Sequence, residues 1–187
     1  MTGIKLFLTL SILFIASGCT ISNYYILSTA SQPKESYSHK NQVIGVEKVT
    51  VPEYLFKREI AVAKSSSQVI FLSGSQWAED MDTGLTRRLI AFLQKKFQQP
   101  GVYAYPWGTD MQPEIKIKVQ VTRFIAQGDS VYLDANWEVK NMQTEQRRLK
   151  LFSTKVVTKE DAESIVDAMN RAFAQLEEDV ARGVREL

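Results

Sequence analysis

The feature that most restricts the fold is a strict alternation of apolar and polar residues in the second half of the chain. Apolar residues occupy every second position over 115–121 and again over 131–139, with Gly128 and Asp129 between the two runs. Successive side chains of a β-strand point to opposite faces, so this period predicts strands with one apolar and one polar face. A third run, 147–157, follows a second turn. We therefore predict an antiparallel three-stranded meander.

Two amphipathic helices are predicted, one before and one after this meander. The first runs to Phe97 from a cap at Asp82 or Thr83, and its apolar stripe consists of Leu85, Leu89, Phe92, Leu93 and Phe97. Four basic residues lie off that stripe: Arg87, Arg88, Lys95 and Lys96. The second helix is predicted to begin at Thr158, with a stripe from Ala162 to Val180 that covers the apolar face of the meander.

Five shorter strands complete the predicted fold. They are expected at 24–27, 43–51, 59–63, 68–72 and 102–105, with loops at 28–42, 65–67 and 73–75. This order of elements predicts an α+β fold in which two helices pack on an antiparallel or mixed sheet. A chain of 187 residues fits one such domain, which we place at 24–187.

The composition excludes several classes of site. The chain has one cysteine and one histidine, which excludes an internal disulfide framework, a zinc site built from several cysteines and a metal site built from paired histidines. A net charge of +2 gives no electrostatic case for nucleic-acid binding. His39 lies in a polar loop, where we expect a solvated residue and not a catalytic one.

The N-terminus resembles an export signal. A positive start at Lys5, an apolar run at 6–15 and small residues at 16–18 are typical of a secretory signal peptide, predicted here at 1–18. The alternative is a buried N-terminal strand or helix. The apolar run is too short for a transmembrane helix, which needs ~20 residues.

Cys19 directly follows these small residues and resembles the acylated cysteine of a bacterial lipobox. The alternative is an unmodified thiol. The resemblance implies an S-diacylglycerol and an N-acyl chain on Cys19, and Thr20 in place of Asp implies the outer membrane, facing the periplasm. Residues 19–23 would then be a short tether, since four extended residues reach at most ~14 Å.

No catalytic motif is present in the sequence. Gly-x-Ser-x-Gly, Walker A and Gly-x-Gly-x-x-Gly patterns are absent. An acidic cluster at Glu79, Asp80 and Asp82 is interpreted as charge at a helix start rather than a carboxylate pair or metal site. We expect no enzymatic activity, no cofactor apart from the covalent lipid, and no metal.

Two aromatic segments are candidates for partner binding. Residues Pro52, Glu53, Tyr54 and Leu55 precede Arg58, and an aromatic residue near an arginine suits an interface hot spot. The alternative is a tight turn whose Tyr and Leu fold back into the core. Trp77 either packs on the first helix or belongs to an interface. The predicted partner-binding set is Tyr24, Tyr25, Pro52, Glu53, Tyr54, Leu55 and Trp77.

Several segments resemble the PqiC-type, or ABC-type transport auxiliary, lipoproteins. They are Cys19 followed by Tyr-Tyr-Ile-Leu at 24–27, Val-Ile-Gly-Val at 43–46, Val-Pro-Glu-Tyr-Leu at 51–55, Gln-Trp-Ala-Glu at 76–79, and parts of the last helix at 168–170 and 172–176. Gln76 departs from the Arg that many members have before Trp-Ala.

The resemblance implies a docking role in a transport system. We expect a periplasm-facing, outer-membrane lipoprotein that binds a PqiB-like MCE-domain protein and works with the inner-membrane subunit of the same system in lipid transport that maintains envelope integrity. Homo-oligomerisation is a corollary, because MCE proteins form rings. A stand-alone lipid-binding lipoprotein is the main alternative, and an envelope hydrolase dependent on His39 is the other.

Overall fold

The computed structural model describes residues 22–27, 29–37, 42–108 and 112–187. The predicted export signal at 1–18, Cys19 and His39 lie outside these ranges. The described strands and helices, in chain order, are β1 (Asn23–Tyr25), β2 (Ile44–Glu47), a 3-10 helix (Glu53–Phe56), β3 (Glu59–Ala63), β4 (Val69–Trp77), α1 (Met81–Phe97), β5 (Val102–Tyr105), β6 (Ile115–Gln127), β7 (Ser130–Asn141), β8 (Arg147–Val157) and α2 (Ala162–Arg185).

The eight described strands form one mixed sheet with β6 at its centre. On one side β6 pairs antiparallel with β7, which pairs with β8, as the alternation predicts. On its other side β6 is shared by two strands, because β2 pairs with its first three residues and β3 with its last two, both in parallel. β3 continues to β4 and β1, and β2 continues to β5. The predicted α+β fold is confirmed.

Strand β4 is longer than the sequence pattern indicates. It continues through Ser73, Gly74 and Ser75, which were predicted to form a loop, and it ends at Trp77. Its pairing with β3 is irregular there, since Glu59 lies opposite Gln76 whereas Ala61 lies opposite Phe71. The extra residues of β4 form a bulge in which Gly74 has a φ of 72°, a conformation that glycine adopts without strain.

Four predicted boundaries also differ. The first helix begins at Met81 with Asp80 as its N-cap residue, and not from a cap at Asp82 or Thr83. Regular pairing of β2 is limited to Ile44–Glu47, and only an isolated bridge at Thr50 continues it within the predicted strand 43–51. The predicted strand 24–27 is shortened to β1. The last helix begins at Ala162 and not near Thr158, because Asp161 is its cap and accepts a hydrogen bond from the Ser164 N–H at 2.8 Å.

Both helices cover one face of the sheet and share a single apolar core with it. The core contains the alternating apolar residues of β6 and β7, together with Phe92 of α1 and Phe173 of α2. The last turns of α2 lie very close to β7, since a Cβ added at Gly183 would be 2.4 Å from the Trp137 ring. We call the opposite side of the sheet the open face; it carries polar residues of β6 and β7 such as Lys118 and Asn136.

Candidate functional site

The first described strand ties the chain to the sheet edge close to Cys19. Tyr24 pairs with Gln76 and Tyr25 with Trp77 in a parallel ladder, and the Ala78 N–H donates to the Tyr25 carbonyl at 2.9 Å. Tyr25 packs against the core, whereas Tyr24 is 65% exposed. The first described strand therefore begins at Asn23, four residues after Cys19 in the sequence.

The predicted contact segment after Pro52 forms the 3-10 helix. Leu55 is only 3% exposed. Tyr54 is half-buried, and its hydroxyl accepts a hydrogen bond from the Phe124 N–H at 2.9 Å. Burial raises the pKa of Tyr54 above its usual value, so the phenol stays protonated at neutral pH. The turn is thus held to β6 by Tyr54, in line with the alternative that Tyr and Leu fold back.

Trp77 lies in the core rather than on the surface. Its side chain is 3% exposed, and its indole N–H has no hydrogen-bond acceptor among the described residues. Its backbone N–H donates to the Arg58 carbonyl at 2.6 Å, which joins the end of β4 to the start of β3. Leu55 and Trp77 are therefore buried in the core, as the alternative interpretation of each residue expects. The partner-binding role of the predicted set stays a prediction.

Exposed apolar side chains lie on three parts of the sheet. Tyr24 and Ile26 are exposed on β1 and just after it, whereas Val69 and Phe71 are exposed on a part of β4 that precedes the residues paired with β1. On the far strand, Leu149 and Leu151 are exposed and line a shallow pocket of about 320 Å³ together with residues of β6 and β7. Phe56 of the 3-10 helix is also exposed. Alternation on β4 and β8 is the signal that could have identified the exposed apolar residues of these two strands.

A buried ion pair joins the two helices to the N-terminal segment. The Arg88 guanidinium donates to both carboxylate oxygens of Glu177 at 3.1 and 3.2 Å, and both side chains are almost completely buried. Arg88 also donates to the Leu27 carbonyl at 3.3 Å and to the Asn170 side chain at 2.6 Å, and the Ser31 hydroxyl donates to Glu177 at 2.7 Å. Burial raises the pKa of Glu177, although Arg88 acts in the opposite direction.

The acidic residues at the start of α1 form separate contacts. Asp82 lies 2.6 Å from Lys48, and Glu79 pairs with Arg87. Burial alone would raise the pKa of Asp82, but hydrogen bonds from Lys48 and Thr83 lower it below its usual value. Among residues 22–27, 29–37, 42–108 and 112–187, no three His, Cys, Asp or Glu side chains are placed to hold a metal ion. This geometry agrees with the interpretation as charge at a helix start.

None of the helices in the described part of the chain is long and apolar enough to cross a bilayer.

Two known proteins are similar to this chain over almost its whole length. Over 189 aligned residues, the chain is 25% identical to the intermembrane transport lipoprotein PqiC of Escherichia coli (strain K12), with 98% of each chain covered. The same figures hold for PqiC of Shigella flexneri.

Solved structures show the same fold at lower identity. A crystal structure of an uncharacterized protein matches with a TM-score of 0.71 at 23% identity, covering 88% of this chain and 99% of the other. A protein from Xanthomonas campestris matches with a TM-score of 0.73 at 13% identity, covering 87% and 94%.

The family model described as ABC-type transport auxiliary lipoprotein component matches residues 25–181. This range begins in β1 and ends within α2, so it includes nearly all of the folded domain. The chain belongs to the family of ABC-type transport auxiliary lipoprotein components.

Proposed function

We propose that this protein is an outer-membrane-anchored periplasmic lipoprotein that docks an MCE-type intermembrane lipid transport system to its membrane. The observation that carries this proposal is that the first described strand of the sheet begins at Asn23, only four residues after Cys19. A lipid on Cys19 would hold the domain within ~14 Å of the bilayer, because an extended residue spans at most ~3.6 Å. A docking subunit needs such a fixed position, whereas a long tether would leave it free to move.

Relatives of the same length support the transport role. The PqiC proteins of Escherichia coli and Shigella flexneri, aligned over 98% of this chain, are named intermembrane transport lipoproteins. In this proposal Cys19 carries an S-diacylglycerol and an N-acyl chain after removal of residues 1–18, and the protein supports envelope integrity together with an MCE-domain protein and an inner-membrane subunit.

The 3-10 helix is the proposed contact for the MCE-domain protein. Phe56 is 58% exposed beside the exposed Glu53, while Leu55 and the Tyr54 hydroxyl fix the turn to the body of the domain. An exposed aromatic side chain on a rigid support is a typical hot-spot arrangement, since little conformational entropy is lost when it is buried by a partner.

The proposal is tested by purifying the lipidated protein from envelopes and identifying co-purified chains. An MCE-domain protein is expected with the parent, and its recovery should fall at least about tenfold in Phe56→Ser, because hot-spot truncations cost about 2 kcal/mol or more. Leu151→Ser is the matched control, as it also removes an exposed apolar side chain but on β8. Equal recovery from both variants would exclude the 3-10 helix as the contact.

Two other outcomes would contradict the proposal as a whole. One is a chain that contains a free thiol at Cys19 or an intact export signal by mass spectrometry. The other is purification without any MCE-domain protein but with one bound lipid per chain in native mass spectrometry, which would favour a stand-alone lipid-binding lipoprotein.

A further inference from the structure

We propose that the free edge of β8 is a second partner-binding surface, which takes up an extended, acidic segment of another protein as an added antiparallel strand. This inference goes beyond the proposed function, since it needs neither the lipid anchor nor the contact at the 3-10 helix. Three properties of β8 (Arg147–Val157) carry it: free backbone groups along its outer edge, an apolar surface beside that edge, and an excess of positive charge.

The backbone of β8 has hydrogen-bonding groups that the sheet does not use. The strand pairs with β7 and with no other described strand. The Asn141 N–H donates to the Gln146 carbonyl at 2.9 Å, and hydrogen-bonded pairs recur at every second residue of an antiparallel ladder. The even-numbered residues of β8 therefore bond to β7, and the odd-numbered ones face outward. In agreement, the Val157 carbonyl accepts its hydrogen bond from the Arg171 side chain, at 3.0 Å. Ahead of Val157, the residues with outward N–H and C=O groups that have no strand partner in the described part of the chain are Arg147, Leu149, Leu151, Ser153 and Lys155.

Two exposed leucines form an apolar surface next to this edge. Leu149 is 64% exposed and Leu151 83%. Their neighbours across the ladders are polar residues of β7 and β6, namely Glu138, Asn136, Lys118 and Gln120. Because cross-strand neighbours share one face of a sheet, all of these side chains lie on the open face, where they line the pocket of about 320 Å³. In strand addition the backbone supplies affinity, and pockets for alternate side chains supply specificity.

The charge of β8 specifies an acidic partner. The strand has no acidic residue and four basic ones: Arg147, Arg148, Lys150 and Lys155. Two of them pair with carboxylates of α2, as Arg148 with Glu186 and Lys150 with Asp179. Arg147 and Lys155 alternate with the leucines on the open face, and neither forms an ion pair within the described part of the chain. A strand added here therefore places residues opposite two cations that lack a carboxylate.

These positions define the sequence of the added strand and exclude a second copy of this chain. An antiparallel partner needs acidic residues opposite Arg147 and Lys155 and apolar residues opposite the two leucines. Pairing of β8 with β8 of a second copy would place Arg147 opposite Lys155 if it were centred on Leu151. It would place Lys150 opposite itself if Leu149 paired with Leu151. Like charges directly opposite each other are destabilising, so the occupant is a segment of a different protein.

The experiment measures binding of a synthetic peptide to the full chain, purified in its lipidated form in a mild detergent. The probe is a fluorescein-labelled nonapeptide, Glu-Thr-Thr-Thr-Val-Thr-Val-Thr-Glu, whose ends lie opposite Lys155 and Arg147 and whose valines lie opposite Leu151 and Leu149. The matched peptide has lysine in place of both glutamates. Fluorescence anisotropy should give a Kd about tenfold higher for the lysine peptide, because two cross-strand pairs change from attraction to repulsion.

Alternate backbone groups distinguish strand addition from a contact made by side chains alone. N-methylation of the two valines removes the N–H groups that face β8 and should abolish binding, whereas N-methylation of the threonines on either side of the first valine should leave it intact. Amide exchange resolved to single residues should slow at Leu149, Leu151 and Ser153 when the peptide binds. It should not change at Lys150 and Phe152, whose N–H groups already bond to β7.

Variants of the chain locate the site. Arg147→Glu should raise the Kd of the glutamate peptide by about threefold or more, while Lys57→Glu, the same charge change at an exposed position after the 3-10 helix, should leave it unchanged. Leu151→Ser should weaken the peptide and leave recovery of the MCE-domain protein unaffected, since the two contacts are separate.

Four results would overturn the inference. They are equal affinity for the two peptides, binding of neither, full binding of the peptide with methylated valines, and an equal effect of Arg147→Glu and Lys57→Glu. Slow exchange at Leu149 and Leu151 in the chain without peptide, increasing with protein concentration, would also overturn it, because a second copy would then be the occupant.

Discussion

Replacing Arg88 by Met tests whether the buried ion pair holds the two helices together. The substitution keeps most of the side-chain volume but removes both hydrogen bonds from Arg88 to the Glu177 carboxylate. This carboxylate is fully buried, and among the described residues it would keep only the Ser31 hydroxyl as a donor. Removing one partner of a buried pair costs about 3–5 kcal/mol, because the remaining charge is uncompensated. That is a large part of a typical unfolding free energy of about 5–15 kcal/mol.

The assay is urea denaturation of the purified protein followed by tryptophan fluorescence. We expect the loss in Arg88→Met to be smaller at about pH 5 than at about pH 8, since an unpaired buried Glu177 has a raised pKa and can become neutral. The double variant Arg88→Met with Glu177→Leu should recover much of the stability, as apolar replacements of a buried pair are often close to neutral.

Arg87→Met is the matched control for this prediction. Arg87 is the neighbouring residue, and its side chain is mostly exposed in its pair with Glu79, so its replacement should cost at most about 1 kcal/mol. The reasoning would be refuted if Arg88→Met cost no more than this control, or if the double variant were less stable than Arg88→Met alone.

Two further predictions concern packing and pH. Gly183→Ala should destabilise the protein by about 1–3 kcal/mol, because the new Cβ would lie 2.4 Å from the Trp137 ring and overpacking outweighs the gain in helix propensity. The control is Gly108→Ala, at a position with open space, which should change the unfolding free energy by less than about 0.5 kcal/mol in the same urea titration. Equal effects of the two substitutions would refute the close contact at Gly183. Burial alone would raise the pKa of Glu178, but the Lys96 ammonium at 2.6 Å helps to lower it below its usual value. The stability that this ion pair contributes is present above the unfolded pKa of ~4.3 and is lost as the pH falls through the lower pKa of Glu178 in the folded protein. Glu178→Gln should therefore reduce the decrease in the urea midpoint between pH 5 and pH 3. An unchanged decrease would contradict the contribution of Glu178 to this pH dependence.

The sequence predicted the elements with a clear period and missed contacts between distant parts of the chain. The alternation over 115–121 and 131–139 identified the antiparallel strands β6 and β7, because one face of each is in the core. The stripe of α1 was also predicted, yet Arg88 and Lys96, which lie off it, are buried. Their partners, Glu177 and Glu178, are 89 and 82 residues away, so no local pattern could identify them.

The candidate site was predictable only where exposure follows from strand alternation. Tyr24 was predicted to lie in a strand near Cys19, and it is exposed there. Phe71 was assigned to a strand but was given no role. Ser73 and Gly74 after it predicted a loop, so the continuation of β4 to Trp77 was not expected. A residue in a short turn could not be placed by pattern alone. Leu55 illustrates this, since its burial depends on how the turn packs against β6.

The attachment of the N-terminal segment determines how the domain would respond to tension. A pull on the chain before Asn23 acts first on the three-residue ladder between β1 and β4. The load then passes to Arg88 and Glu177, which bind the Leu27 carbonyl and the Ser31 hydroxyl and are rooted in different helices. Tension applied through the proposed anchor would thus be spread over both helices, and β1 would detach from β4 before the rest of the domain unfolded.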